Sequence, residues 1–132
     1  MNSKAISNEK AKKAILYCRS VAGDRAELQR QSDTLTEYAK ANGLSAIRTV
    51  LECGKMDALT YSNLRLQAKY REFDVLIVPE LEVLGNSAIE ITQEVNFLTE
   101  NGVKVISLKD GELNAETLPS TFRKGFRILS HN

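Results

Sequence analysis

The stretch Ala14-Ile15-Leu16-Tyr17-Cys18-Arg19-Ser20-Val21-Ala22-Gly23-Asp24-Arg25 decides the fold. An apolar run stops at an arginine, small and polar residues follow, and an amphipathic segment begins. Apolar runs bounded by polar turns fit strands covered on both faces. The stretch therefore reads as strand, turn and helix, with the strand over 13–18. In open α/β sheets, ligands bind just beyond the carboxyl ends of the strands. Arg19 and Ser20 thus stand where such a fold holds its chemistry.

Downstream, the period changes to that of a helix over 26–42, where Leu28, Gln31, Leu35, Tyr38 and Ala39 recur and Gly43 marks the stop. A second strand is expected over 45–52 and a loop with Gly54 and Lys55 over 53–60. A second helix follows over 62–70, with Ser62 as its N-cap. Val75-Leu76-Ile77-Val78 is the most apolar strand, and 79–86 reads as a connecting loop. Ser87 and Glu90 have the spacing of a capping box. They open a third helix whose buried stripe is Ile91, Val95 and Leu98, widened by Ile89 and Phe97 and closed at Gly102. A fourth strand is expected over 103–108. Strands alternating with helices at this rhythm predict a three-layer, flavodoxin-like α/β domain. Its sheet is mainly parallel, with four to five strands and helices on both faces.

The chain has 132 residues, enough for one domain with its own core. Residues 1–12 are a polar lead-in expected to fray, 13–117 carry the domain, and 118–132 form a tail broken at Pro119. Formal net charge is +1, with 18 basic and 17 acidic residues, so any nucleic-acid surface must be a local patch. No apolar run is long enough for a membrane span and no signal core follows the N-terminus, which leads to the expectation of a cytoplasmic protein. Cys18 and Cys53 make no C-x-x-C and cannot build a structural zinc site; both read as reduced thiols, Cys53 in a loop. Cys18 is expected to be buried and inert, although an arginine neighbour favours a reactive thiolate. The single histidine, His131, is one residue from the end, which excludes histidine-based catalysis. No cofactor and no metal are implied. Glu80 and Glu82 could be paired carboxylates, but they lack a third ligand and read as a solvated loop.

The ordered pieces resemble the catalytic domain of the serine recombinases, the resolvase and invertase family, over 13–117. Tyr17-Cys18-Arg19 resembles the family's opening Tyr-x-Arg. In order and spacing, the first helix from Leu28 to Ala39 with Gly43 resembles the family's first helix, the strand Phe73-Asp74-Val75-Leu76-Ile77-Val78 its third strand, and the segment Leu81-Glu82-Val83-Leu84-Gly85-Asn86-Ser87 its Leu-Asp-Arg-Leu-Gly-Arg-Ser segment. Asn101-Gly102-Val103-Lys104-Val105-Ile106-Ser107-Leu108 is similar to its next strand. The resemblance implies a serine that attacks a DNA phosphodiester, with arginines stabilising the phosphoryl transition state. The nucleophile position, two residues after the arginine, is Val21. Ser20 is one residue early and, on an extended backbone, points to the opposite side. Arg19 is retained. Glu82 replaces an aspartate, Val83 and Asn86 replace arginines, and Tyr61-Ser62 stands where the family has Arg-Pro. Cys53-Gly54-Lys55 only loosely echoes a Ser-Gly loop. The implied vestigial catalytic set is Arg19, Ser20 and Glu82, with Arg19, Arg25, Gln31 and Lys55 as DNA-phosphate contacts.

Alternatives stay open at this level. Arg19 is either part of a phosphate site or a surface arginine pairing with Glu80 or Glu82. Ser20 is either a nucleophile or a turn hydroxyl bonding nearby backbone. The segment from Phe122 to Arg127 is either a basic-aromatic DNA contact or a terminal helix laid on the domain. Three functions follow. One is a recombinase-fold protein that has lost cleavage but still serves recombination, on DNA, as a homodimer or beside an active relative. Another is an active enzyme using Ser20. The third is a repurposed protein-interaction or small-ligand module.

Overall fold

The computed structural model describes residues 11–55 and 57–118. The expected tail helix and its aromatics lie outside the described residues, as does most of the N-terminal lead-in. The elements are β1 (Lys13–Ser20), α1 (Arg25–Ala41), β2 (Ser45–Cys53), α2 (Ala58–Lys69), β3 (Val75–Val78), a 3₁₀ turn (Leu81–Leu84), α3 (Ala88–Glu100), β4 (Lys104–Ser107) and β5 (Gly111–Leu113). They form one five-stranded sheet in the order β2-β1-β3-β4-β5. All pairs are parallel except β4 with β5.

Alternation along β1 sorts the core into two layers. Ile15 and Tyr17 join Val50, Leu64, Ala68, Leu76, Ile91, Val95 and Leu98 beneath α2 and α3. Ala14, Leu16 and Cys18 join Leu28, Leu35, Ala39, Val75 and Ile77 beneath α1. Both faces of β1 are therefore apolar, which is why its sequence runs rather than alternates. Each fully buried leucine, such as Leu35, contributes about 2 kcal/mol.

The caps correct some expected boundaries. Asp24 caps α1 by accepting from the Ala26 and Glu27 amides, and Gly43 takes the left-handed φ of +68° after the helix. α2 starts four residues before the expected Ser62, because Asp57 caps it through the Leu59 amide. Ser87 caps α3 as expected, accepting from the Glu90 amide at 3.1 Å. The Glu90 carboxylate, however, reaches back to the Asn86 amide at 2.8 Å, which ties the preceding loop to the helix. That loop is not irregular throughout: it contains the 3₁₀ turn. β4 is shorter than expected. β1 and β2 are longer, running to Ser20 and Cys53, so Cys53 ends a strand and is exposed.

β1 pairs with β3 only up to Leu16, whereas it pairs with β2 up to Ser20. The last residues of β1 thus extend past the end of β3. The 3₁₀ turn folds over that space, pinned by the Leu81 amide donating to Asp110 at 3.1 Å. β1 is also where the strand order changes direction, the place where open sheets form a crevice.

Candidate active-site crevice

Arg19 lies in this crevice and is 6% exposed. It continues the Ile15–Tyr17 side of β1 and points under the 3₁₀ turn. Its Nε donates to the Gly54 carbonyl at 3.2 Å, Nη1 to the Val83 carbonyl at 3.3 Å and Nη2 to Asn86 Oδ1 at 2.8 Å. The guanidinium thus joins the end of β2, the 3₁₀ turn and the approach to α3. Gly54 adopts φ +80°, and its amide donates to the Ser20 carbonyl at 2.7 Å. That left-handed turn, cheap only for glycine, brings its carbonyl back to Arg19. The main chain of Arg19 is held as well: its amide donates to Gln31 Oε1 at 3.0 Å, and Gln31 Nε2 donates to its carbonyl at 3.2 Å.

Arg19 therefore does not pair with Glu80 or Glu82, correcting one of the sequence alternatives. Glu80 meets Lys109 at 3.5 Å. Glu82 is exposed, and its charge is the first cause raising the Lys109 pKa, ahead of Glu80. Glu82 makes no ion pair with Arg19. Arg25, at the start of α1, and Lys55 are exposed and make no ion pair among the described residues.

Ser20 lies on the α1 side of the sheet, as strand alternation requires. It is 2% exposed. Its hydroxyl donates to Glu27 Oε1 at 2.9 Å and accepts from the Asp24 amide at 3.0 Å. It is the turn hydroxyl expected of the ordinary reading, and the sheet stands between it and the Arg19 guanidinium. Val21, just past the strand, is 74% exposed.

The contacts of several organising groups have no signal in the sequence, although Tyr17 and Tyr61 themselves stand in the segments that carry the resemblance. The Tyr17 hydroxyl donates to Glu52 Oε1 at 3.4 Å, and the same oxygen accepts from the Asp57 amide at 2.7 Å. Burial, and then the Glu52 charge, push the Tyr17 phenol above its ordinary range. The Tyr61 hydroxyl donates to the Leu84 carbonyl. Burial, followed by the Glu94 charge, raises its pKa as well. Glu94 on α3 is nearly buried and takes Arg65 Nη2 at 2.6 Å and Nε at 3.2 Å. Arg65 also lies 5.6 Å from the Tyr61 ring centroid and 5.3 Å from that of Phe97. A glutamate at the end of a strand and a tyrosine inside a helix carry no pattern that would announce these roles.

The Cys18 thiol is buried and pushed up to about 12 by desolvation, so it is held as the unreactive thiol. Among the described residues no cluster of three His, Cys, Asp or Glu is placed to hold a metal ion, and no helix is long and apolar enough to cross a membrane.

The sequence pattern of the family described as "Resolvase, N terminal domain" matches residues 14–128. A comparison with curated protein sequences finds no match. Among solved structures, the chain is similar to the N-terminal catalytic domain of TP901-1 integrase. The TM-score is 0.71 at 25% identity, covering 91% of this chain and 95% of that one. A resolvase family site-specific recombinase from Streptococcus pneumoniae gives a TM-score of 0.71 at 16% identity, covering 92% and 87%. The C-terminal catalytic domain of ISC1926 TnpA, an IS607-like serine recombinase, gives 0.65 at 22% identity, covering 80% and 74%.

Proposed function

The chain belongs to the resolvase N-terminal domain family, and from that premise we propose that it serves site-specific DNA recombination without cutting DNA itself. In this reading it acts by binding, on DNA or beside an active relative. One observation carries the reading: the arginine retained from the family pattern has its guanidinium engaged by the protein's own acceptors on three segments. A phosphoryl-transfer pocket needs donors held ready for the charge that develops on the phosphate. Here Asn86, at a position where the resemblance expects an arginine, accepts from Arg19. Tyr61, at another such position, donates inward to Leu84. Val21 supplies no nucleophile, and Ser20 faces the other side of the sheet, bonded to Glu27.

Losing one transition-state donor costs about 100- to 1,000-fold in rate, and several are missing along with the nucleophile. Arg19 acts in this account as a positioning residue for the loops around the crevice. Any DNA contact falls to exposed cations such as Arg25 and Lys55, which no ion pair occupies among the described residues.

The test combines two assays on the full chain. Incubation with nicked suicide DNA substrates is expected to give no SDS-stable protein–DNA product. Duplex binding followed by fluorescence anisotropy is expected to weaken as salt rises, with a slope reduced by Arg25→Ala or Lys55→Ala. A covalent product that disappears in Ser20→Ala would restore the enzyme reading. Absence of binding even at low salt would move the function to a protein partner.

A further inference from the structure

β2 is an edge strand, bonded to β1 alone. It runs for nine residues, Ser45–Cys53, and among the described residues no strand pairs with its other edge. Natural proteins protect such edges with lysine, proline, bulges or a covering element. The sequence of β2, Ser-Ala-Ile-Arg-Thr-Val-Leu-Glu-Cys, has neither lysine nor proline. Its irregularity is confined to the start, where the partners of Ala14 and Ile15 jump from Ala46 to Arg48. From Arg48 onward the ladder is regular.

Which groups face outward follows from the pairing. The Gly54 amide donates inward to the Ser20 carbonyl. In a parallel ladder the N–H and C=O of one residue point the same way, so Arg48, Val50 and Glu52 bond to β1. Thr49, Leu51 and Cys53 present their main-chain groups to the free edge. The side chains here are apolar for a solvent edge: Ile47 is 45% exposed and Leu51 is 51% exposed.

We infer that this edge pairs with the same edge of a second copy of the chain, antiparallel and centred on Val50, making one continuous ten-stranded sheet across a two-fold axis. The register follows from charge. Centred on Val50, Arg48 stands opposite Glu52 of the second copy, and the reverse pair forms by symmetry. Thr49 and Leu51 then exchange main-chain hydrogen bonds twice, entirely within the regular stretch. Centring on Arg48 sets like charges opposite each other, and centring on Thr49 sets Arg48 against Val50. Within one copy, Glu52 Oε1 accepts from Tyr17 and the Asp57 amide and Arg48 Nη1 donates to Gln67 at 2.7 Å. Self-complementarity under a two-fold axis is what selects a second copy over an unrelated strand.

The test is sedimentation of the full chain across a wide concentration range, alongside amide hydrogen exchange at Thr49 and Leu51 by NMR. The expected result is a concentration-dependent dimer in which both amides become protected as it forms. Thr49→Pro removes an N–H that the monomer does not use, so the fold is kept and the dimer is lost. Arg48→Glu places like charges opposite each other twice and weakens the dimer by about tenfold. A chain that stays monomeric with both amides exchanging freely overturns the inference. So does a dimer in which those amides remain unprotected. If Thr49→Pro fails to fold, wild-type exchange at Thr49 and Leu51 decides alone.

Discussion

Replacing Arg19 with alanine removes three hydrogen bonds at once, to Gly54, Val83 and Asn86. The cost depends on what each abandoned acceptor meets. Val83 is buried, so its carbonyl bears the penalty of an unpaired buried polar group, about 1–3 kcal/mol. Gly54 is half-buried and Asn86 is exposed; water can reach both, and each bond there is worth about 0.5–1 kcal/mol. Against this, the mutation relieves the desolvation of a cation that has no ion pair among the described residues. The net expectation is a loss of about 2–3 kcal/mol. The chain has no tryptophan, so urea unfolding is best followed by far-UV circular dichroism. Asn86→Ala is expected to cost about 1 kcal/mol alone, and a double-mutant cycle with Arg19→Ala should show coupling of about 1 kcal/mol. Arg19→Lys keeps the charge but not the fork, and should fall between wild type and alanine. If Arg19→Ala lies within about 0.5 kcal/mol of wild type, the guanidinium is not a structural tie, and the central argument about the crevice fails.

Gly85→Ala builds a Cβ 2.9 Å from Glu90 Cβ and 3.2 Å from Ile91 Cγ1. It should cost about 1–3 kcal/mol by thermal denaturation, because the 3₁₀ turn must lift from α3. Arg65→Ala strands the buried Glu94 carboxylate and should cost about 3 kcal/mol, clearly more than Glu94→Gln, which leaves Arg65 free to reach water; paired urea titrations measure the difference. In thiol titration with an aromatic disulfide reagent, Cys53 should react in the native state and Cys18 only on unfolding. The Cys18 thiol has a folded pKa raised from 9.0 to about 12. Its contribution to stability is therefore complete below pH 9 and falls away as pH rises towards 12, with Tyr17 and Tyr61 acting in the same direction. Stability measured against pH should decline above about 9, less steeply in Cys18→Ala.

The elements legible in the sequence were those with a periodic face and a local cap. The buried stripe of α3 is Ile91, Val95 and Leu98, as its spacing required, and β3 is the apolar run Val75–Val78. The sequence places the start of α2 four residues late because Asp57 and Ser62 are both good caps and the helix has only a weak apolar face, with Leu64 and Ala68 buried. The 3₁₀ turn reads as a loop because its anchor, Asp110, lies 29 residues further along the chain, just past the neighbouring strand β4, and its order comes from that contact. The site was legible in one respect. Alternation places Arg19 and Ser20 on opposite faces, and their partners, Val83 and Glu27, lie on opposite layers. The partners of Arg19 were not legible, since two are main-chain carbonyls and a carbonyl has no signature in sequence.

That illegibility bears on what would rebuild chemistry at the crevice. The obvious change is Val21→Ser, which puts a hydroxyl at the position where the family resemblance expects the nucleophile. Val21 is largely exposed, so the substitution should cost no more than about 0.5 kcal/mol. It is nonetheless expected to give no covalent adduct on nicked suicide DNA. A hydroxyl attacks a phosphodiester only where the charge gathering on the phosphoryl oxygens meets preorganised donors. The donors that Arg19 commits to Gly54, Val83 and Asn86 are closed in beneath the 3₁₀ turn, with Tyr61 bonded to Leu84 at its far end. Freeing them means breaking the loop structure that they hold together. Adding Asn86→Arg removes one acceptor and supplies one donor, and any adduct should emerge first in that double variant. An SDS-stable product from Val21→Ser alone would mean that the guanidinium leaves its acceptors readily and that the nucleophile was the main group lacking.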